Sequence, residues 1–250
     1  MHPRLEALRA RLPTTTRLTD PIVLVDVGAS CGLQKKWTRY RHSIVPVLFE
    51  PNPTEASALR ATLAGFAQSH VIEQGLSDRD GPHTLHVAEY FGCTSMLEAN
   101  MEFLGDYEIA GLYRSVRDLE VMCSRYDSLV AKGRAPRPDI IKVDIEGFES
   151  CALDGFGDLL HDVLGVETEA WFYPAFKGQA LLPDLIRQLG QFGLRLRRIE
   201  PVPGFEGDLV CVNAFFTQEK TRYHTLDSTR RAKFDLMSRV WQLSRRRMPK

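Results

Sequence analysis

The chain has 250 residues, of which 44% are hydrophobic and 26% charged, and its 32 basic residues match its 32 acidic residues. This is the composition of a globular domain and excludes intrinsic disorder as a general description. The five cysteines are widely spaced and form no C-x-x-C, which argues against a disulfide framework and a zinc finger. No apolar run approaches the roughly 20 residues that span a bilayer, so we expect a cytoplasmic protein.

The formal net charge of zero is the sum of two regions of opposite charge. Residues 220–250 hold ten basic and two acidic side chains (net +8), whereas residues 1–219 hold 22 basic and 30 acidic side chains (net −8). The basic tail has a helical pattern over about residues 229–245, and docking on the acidic body or on a second subunit of a homo-oligomer is favoured. Peripheral contact with an anionic membrane is the alternative. Nucleic acid is not favoured, because aromatic residues are sparse in the tail and no RNA-binding motif is present.

Apolar runs that alternate with helical patterns predict an α/β fold for residues 22–219, preceded by a short amphipathic helix and lead-in over residues 1–21. Runs rich in β-branched residues and ended by turns are typical of strands buried on both faces of a parallel sheet. The alternation predicts a doubly wound sheet. In chain order the predicted elements are strands Ile22–Val27 and Ile44–Phe49, helix 54–68, strand His70–Glu73, a hairpin strand Thr84–Ala88, strand Asp139–Ile145, helix 147–161 and strand Val163–Thr168.

The C-terminal third and one internal segment depart from this alternation. Leu181–Phe192 is predicted as a helix, and Leu194–Ile199 and Leu209–Phe216 as an antiparallel hairpin at one edge of the mostly parallel sheet. Residues 97–121 lie between the third and fourth main strands, and their apolar positions predict a helical insertion. Such an insertion would lie near the carboxyl ends of the strands, where open α/β sheets bind ligands.

A glycine turn follows the first strand, in the stretch V-D-V-G-A-S-C-G from residue 25 to 32. Gly28 and Gly32 have no Cβ, so backbone N–H groups can approach a ligand closely there. A dinucleotide site prefers G-x-G-x-x-G, and this turn lacks the middle glycine. Asp26, just before the turn, suits a ligand with a local positive charge. For both reasons, the turn does not favour an NAD-dependent oxidoreductase.

An acidic residue ends the second strand. Glu50 lies 24 residues after Asp26, at a strand tip that continues into Pro51 and Asn52. An acid at this place can accept hydrogen bonds from both hydroxyls of a ribose, as in nucleoside-binding α/β folds. A solvated loop acid is the alternative, but the glycine turn and the acid together are more specific than either alone.

Ionisable residues are dense at the ends of the fourth and fifth strands. Lys142, Asp144 and Glu146 alternate along the chain, so we predict that they share one face. Ionisable groups on an otherwise apolar strand are costly unless they are used or paired, and an ion pair of Lys142 with an acid is the simplest explanation. Glu167 and Glu169 bring two more carboxylates to the same rim.

Taken in order, these stretches resemble the FkbM family of S-adenosylmethionine-dependent methyltransferases, which have the Rossmann-like class I methyltransferase sheet. The resemblance runs from about Ile22 to Phe216 and rests on V-D-V-G-A with Gly32, F-E-P-N, L-S-D and I-K-V-D-I-E-G followed by Glu149. The K-x-D-x-E-G stretch is the most diagnostic. The chain departs from the pattern at Glu169, where many members have histidine, and in its insertion and basic tail.

The resemblance implies a role for each matching stretch. Asp144 would lie beside the transferred methyl group. The residues implied to bind S-adenosylmethionine are Asp26, Gly28, Ala29 and Gly32 around its methionine part, Glu50, Pro51 and Asn52 at its ribose, and Leu76, Ser77 and Asp78 at its adenine.

Methyl transfer to a hydroxyl needs in-line alignment and a proton acceptor, and Asp144, Glu167 and Glu169 are the candidate acceptors. Carboxylates of this kind also bind Mg²⁺. We do not favour a metal, because acidic clusters are more often satisfied by lysine or arginine. On the acceptor side we assign Ser95, Glu146 and Trp171. For Trp171 and its aromatic neighbours, a plain hydrophobic core is the alternative.

We therefore expect O-methylation of a small molecule, with a hydroxyl on a sugar or a polyketide-type natural product as the acceptor. N-methylation is the nearest alternative, because an amine needs less assistance from a base. A non-catalytic protein that binds S-adenosylmethionine for regulation is a third interpretation. The presence of Asp26, Glu50 and Asp144 together argues against it.

Overall fold

The computed structural model describes residues 17–30 and 32–243. The helix predicted over residues 3–12, Cys31 and the end of the basic tail lie outside these ranges. Within them, no helix combines the length and the apolar character needed to cross a membrane.

Ten strands in the described ranges form two sheets. In chain order they are β1 (Ile22–Val27), β2 (Ile44–Phe49), β3 (His70–Ile72), β4 (Gly75–Leu76), β5 (Gly81–Ala88), β6 (Ser115–Ser124), β7 (Ile140–Val143), β8 (Gly165–Trp171), β9 (Leu194–Pro201) and β10 (Cys211–Gln218). The main sheet has the order β3-β2-β1-β7-β8-β10-β9, and β4-β6-β5 form a smaller one. Only β10 runs antiparallel to its two neighbours in the main sheet, so the predicted mostly parallel sheet with a C-terminal hairpin is confirmed.

Over the same part of the chain, eight α-helices and four 3₁₀ turns connect these strands. The α-helices are α1 (Lys35–Thr38), α2 (Pro53–Thr62), α3 (Met101–Leu104), α4 (Tyr126–Ala131), α5 (Glu149–Asp154), α6 (Leu182–Gly190), α7 (Lys220–Tyr223) and α8 (Ser228–Val240), and the 3₁₀ turns are Arg41–Ser43, Phe91–Cys93, Glu108–Tyr113 and Gly157–His161. The helix predicted over 54–68 is therefore shorter. The helix predicted over 147–161 is two elements, α5 and the 3₁₀ turn that begins at Gly157, and Gly157 adopts φ +51°, outside the right-handed helical region.

Both faces of the main sheet are covered, as a doubly wound fold requires. One face carries Val25, Val27, Ile141 and Val143, which pack in a cluster with buried side chains of α4, α5 and α6. Successive strand residues point to opposite faces. The other face therefore carries Ile22, Leu24, Ile140 and Phe215, which pack with Trp37 of α1 and with Leu236, Met237 and Trp241 at α8.

Helix α8, from the basic tail, is packed on the body of the same chain. Its Lys233 is 5% exposed, donates a hydrogen bond to Asp139 Oδ2 at 2.7 Å, and lies 2.8 Å from Asp20 Oδ2. Trp241 follows the helix and meets the ring of Phe215 edge-on, with 5.5 Å between ring centroids. The described part of the tail thus completes one face of the sheet.

The helical insertion predicted over residues 97–121 is wrong in its C-terminal part. Residues from Ser115 onward form β6, which pairs antiparallel with β5 so that Leu119 lies opposite Leu85. Val116, Leu119 and Met122 are three residues apart, as on a helix face, but they are 40–54% exposed on the strand. The strand forms because β5 offers hydrogen-bond partners about 30 residues earlier, and because serine, valine and cysteine favour helices weakly.

Candidate active site

The glycine turn and the end of β7 are in direct contact at the carboxyl edge of the sheet. Gly28 and Gly32 adopt φ +84° and +77°, in the region that favours glycine. A Cβ on Gly28 would lie 2.0 Å from the carbonyl oxygen of Asp144 and 2.9 Å from Ile145 Cγ2. The backbone amide of Ala29 approaches Phe49 O at 3.4 Å, which brings the end of β2 to the same place.

A row of charged side chains crosses the sheet just below this edge. Asp26, Lys142 and Glu167 are paired residues on β1, β7 and β8. Lys142 Nζ lies 3.0 Å from Asp26 Oδ1 and 3.3 Å from Asp144 Oδ2, and Lys36 Nζ lies 2.5 Å from Glu167 Oε1. Burial raises the pKa of both Asp26 and Glu167, against the attraction of the lysines.

This row changes the interpretation of two predicted site residues. Asp26 is 1% exposed and Glu167 2% exposed, and each is bonded to a lysine. The carboxylate of Asp26 therefore balances the buried charge of Lys142, and that of Glu167 balances the partly exposed charge of Lys36. The ion pair expected for Lys142 is present, and it involves both Asp26 and Asp144.

Glu50 holds the loop after β2. It is 4% exposed; its Oε1 accepts a hydrogen bond from the amide of Asn52 at 2.8 Å, and its own amide donates to Ile72 O at 3.1 Å. Burial raises the pKa of this carboxyl. A carboxylate has about four lone-pair positions, so Glu50 retains acceptor capacity for hydroxyls. Asn52 caps α2 through its side-chain oxygen, which accepts from Thr54 N at 3.0 Å, and Pro51 links the two residues.

The stretch predicted to contact adenine follows β3. Leu76 is buried and packs in the core cluster that contains Phe49. The Ser77 hydroxyl is fully buried and lies 2.9 Å from Asp78 Oδ1 and 2.8 Å from His83 Nε2. Asp78 is partly exposed, so of these three residues it has the side chain most available to a ligand.

Three carboxylates meet beyond the charged row. Asp144 and Glu146 follow β7, Glu169 lies on β8, and each offers a carboxylate oxygen within 4.8 Å of the other two. Glu169 is 8% exposed, whereas Asp144 and Glu146 are half-buried. Burial and the neighbouring carboxylates raise the pKa of Glu146 and Glu169 well above the usual range. The cluster can therefore hold a proton, or a cation that replaces it.

The loop that carries Glu146 is fixed by two polar side chains. Glu149 Oε1 accepts hydrogen bonds from the amides of Ile145 at 3.0 Å and Gly147 at 3.1 Å. Ser95 Oγ donates to the carbonyl oxygen of Glu146 at 2.6 Å. Glu146 itself adopts φ +57°, a costly conformation for a non-glycine residue. Burial raises the pKa of Glu149 to about 7.

Ser95 and Glu146 therefore lie together at the site, whereas Trp171 lies in a separate core. Trp171 is 2% exposed and meets the rings of Phe176 and Phe205 edge-on, at 5.8 and 5.9 Å. This placement matches the hydrophobic core that was the alternative for Trp171. Tyr173, two residues later, is 52% exposed and stacks on Phe103 at 5.7 Å.

Two contributing residues had no role in the sequence interpretation. Lys36 binds Glu167 across 131 positions of chain, and no local pattern indicates such a contact. Glu149 was named only as the residue that follows the I-K-V-D-I-E-G stretch. Its place in the first turn of a helix was a usable signal, because acids there bind free backbone N–H groups.

Comparisons with known proteins agree with the motifs. The family profile described as "Methyltransferase FkbM domain" matches residues 26–196, about two thirds of the chain. No curated protein sequence matches this chain.

Three solved structures to which this chain is similar share 8–12% of its sequence. Precorrin-6y C5,15-methyltransferase from Geobacter metallireducens GS-15 is 12% identical, with 81% of this chain and 83% of that chain covered and a TM-score of 0.42. Magnesium protoporphyrin IX methyltransferase from Synechocystis PCC 6803, with bound SAM, is 9% identical (86% and 76% covered, TM-score 0.44). N-methyltransferase NodS from Bradyrhizobium japonicum WM9 is 8% identical (80% and 88% covered, TM-score 0.37).

The matched region includes the glycine turn, Glu50, the K-x-D-x-E-G stretch and Glu169. On this match, the chain belongs to the FkbM family of methyltransferases.

Proposed function

We propose that this protein transfers a methyl group from S-adenosylmethionine to a hydroxyl oxygen of a small molecule, with a sugar or a polyketide-type natural product as the acceptor. One observation carries the proposal: the glycine turn after β1 touches the carbonyl of Asp144, which begins the carboxylate cluster. The edge that we propose to bind the nucleoside is thereby adjacent to the carboxylates that we propose as proton acceptors. The free cysteines among the described residues also support a cytoplasmic location.

The residues at this edge fit S-adenosylmethionine. Gly28 and Gly32 adopt positive φ angles and have no Cβ, so their own backbone is not covered by side chains. Glu50 can accept the ribose hydroxyls, and the acidic surroundings suit a cationic ligand. When bound, S-adenosylmethionine supplies an electrophilic methyl group on a sulfonium sulfur.

Asp144 is the best-placed proton acceptor of the cluster. Its side chain is 36% exposed, and Lys142 lies 3.3 Å from its Oδ2. A hydroxyl must lose its proton to become a methyl ether, and a positioned carboxylate accepts that proton. An amine acceptor needs less help from a base, so the presence of several carboxylates favours O-methylation over N-methylation.

The reaction is tested with matched pairs of acceptors, each a hydroxylated sugar or polyketide and its amino counterpart. We expect S-adenosylhomocysteine to form with hydroxyl acceptors, and mass spectrometry of the product to place the methyl group on oxygen. Transfer to the amines alone would establish N-methylation. A protein that binds S-adenosylmethionine but transfers to none of these acceptors would support the regulatory interpretation.

Glu50→Ala tests the ribose assignment without an acceptor. Loss of one hydrogen bond to a charged group, worth about 1.5–3 kcal/mol, is expected to weaken S-adenosylhomocysteine binding about 10- to 100-fold in calorimetry. Glu73→Ala is the matched control, because Glu73 is an exposed acid just after β3 and is paired with Arg60. Equal affinity of the wild-type protein and Glu50→Ala would show that Glu50 does not hold the ribose.

A further inference from the structure

We propose that Asp144, Glu146 and Glu169 form a binding site for a divalent cation that prefers oxygen ligands. One carboxylate oxygen from each residue lies within 4.8 Å of the other two. Three oxygens this close can bind one cation after small side-chain movements, since Ca²⁺ takes oxygen ligands at about 2.3–2.6 Å and Mg²⁺ at about 2.0–2.1 Å.

The strongest support comes from Glu169, which is buried and incompletely bonded. It is 8% exposed, and its Oε2 has no hydrogen-bond partner among the described residues. The thiol of Cys211 forms a hydrogen bond with Glu169, but a thiol is only a weak donor. Glu146 Oε2 is also buried without a partner in the described part of the chain. A buried carboxylate oxygen without a partner is costly, and a cation in the cluster would satisfy both.

The lysines near the site are already used by other carboxylates. Lys142 pairs with Asp26 and Asp144, and Lys36 pairs with Glu167. Within residues 17–30 and 32–243, no lysine or arginine forms an ion pair with Glu146 or Glu169. We expected from the sequence that lysine or arginine would pair with these carboxylates. Of the three, only Asp144 has such a partner.

A count of the charges around the cluster also shows that the nearby lysines do not neutralise all of its carboxylates. Two lysines, Lys36 and Lys142, face six carboxylates. These are Asp26, Asp144, Glu146, Glu149, Glu167 and Glu169. A divalent cation would halve the excess of four negative charges that full ionisation leaves. With Asp144 as one of its ligands, the cation would also present open coordination positions to the acceptor oxygen and lower the pKa of a bound hydroxyl, which is the task of the free Asp144 carboxylate in the proposed function; in this respect the inference rests on that function.

The positions of the ligands are fixed before a cation arrives. Glu169 is held in β8 by the ladder with β10, where it lies opposite Asn213, and the ladder with β7 ends one residue earlier at Thr168. The loop of Glu146 is held by Ser95 and Glu149, which bind its backbone. Little ordering is therefore needed on binding, and fixed ligands favour affinity.

The test is calorimetric titration of the metal-free, full-length protein with MnCl₂ and with CaCl₂, without S-adenosylmethionine. We expect one site per chain, and at least a tenfold weaker affinity in Glu169→Gln and in Glu146→Gln. Asp158→Asn, which changes an exposed carboxylate outside the cluster, should bind as the wild type does. Circular dichroism and thermal melting establish that each variant is folded.

Two outcomes overturn the cation site: no binding by the wild-type protein, or binding that both glutamine variants retain at full affinity. Failure of the proposed function is recognised separately. A protein that binds Mn²⁺ through Glu146 and Glu169 but does not bind S-adenosylhomocysteine keeps the cation site and loses the methyltransferase proposal. A protein that binds S-adenosylhomocysteine but not Mn²⁺ keeps the methyltransferase proposal and loses only the cation site.

Discussion

Gly28→Ala is expected to destabilise the protein by about 2–6 kcal/mol and to abolish binding of S-adenosylhomocysteine. Two costs add up, each about 1–3 kcal/mol: the strain of a Cβ at φ +84° and the overpacking against Asp144 and Ile145. The carbonyl oxygen of Asp144, at 2.0 Å from the new Cβ, belongs to the backbone and cannot move aside as a side chain can. The loops after β1 and β7 would have to separate, and both contribute to the site.

Urea unfolding measures the loss of stability, with Gly65→Ala as the matched control. A Cβ on Gly65 would have no heavy atom within 4 Å, and Gly65 has no positive φ, so its substitution should change stability by less than about 0.5 kcal/mol. A stable Gly28→Ala variant with full ligand affinity would mean that the two loops are not in contact in solution.

Lys142→Ala is expected to cost about 3–5 kcal/mol of folding free energy. Lys142 is 6% exposed and is the partner of Asp26, which is 1% exposed. Removal of one partner from a buried ion pair leaves the other charge uncompensated. Lys177→Ala is the control. Its pair with Glu98 is mostly exposed, with 58% and 62% of the two side chains accessible, so the loss should stay below about 1 kcal/mol.

The loss of folding free energy in Lys142→Ala should become smaller as the pH falls. Burial raises the pKa of Asp26, and Lys142 opposes that rise, so the variant raises it further. Below its raised pKa, Asp26 is a neutral acid that needs no partner, whereas above it the buried charge costs stability. Urea unfolding at neutral and at mildly acidic pH measures the change. A deficit that is equal at both values would show that Asp26 is not the source.

The main sheet was predictable because its signal is local. Apolar runs such as Ile22–Val27 and Ile44–Phe49 are buried on both faces, and their ends are marked by glycine or proline. Strand β6 was not predictable in the same way. Its Val116, Leu119 and Met122 are exposed and spaced by three, and it forms a strand because it pairs with β5, which is a separate stretch of the sequence.

The site was predictable as a location but only partly as a set of contacts. The sequence brought Asp144, Glu146 and Glu169 to one rim, and the structure places them within reach of one ion. It did not distinguish Glu167, whose carboxylate binds Lys36, from the other candidate proton acceptors. That distinction depends on which carboxylate a lysine reaches, and the contact of Lys36 with Glu167 spans 131 positions.

The contact between Gly28 and Asp144 joins residues 116 positions apart, and this separation has a kinetic consequence. Contacts between distant parts of a chain close large loops and form late in folding. The turn and the carboxylates become neighbours only once β1 and β7 are in register, so neither half of the site can exist alone. The amide of Asp144, which donates to Val27 O at 3.1 Å, should therefore exchange its hydrogen only when the whole sheet opens.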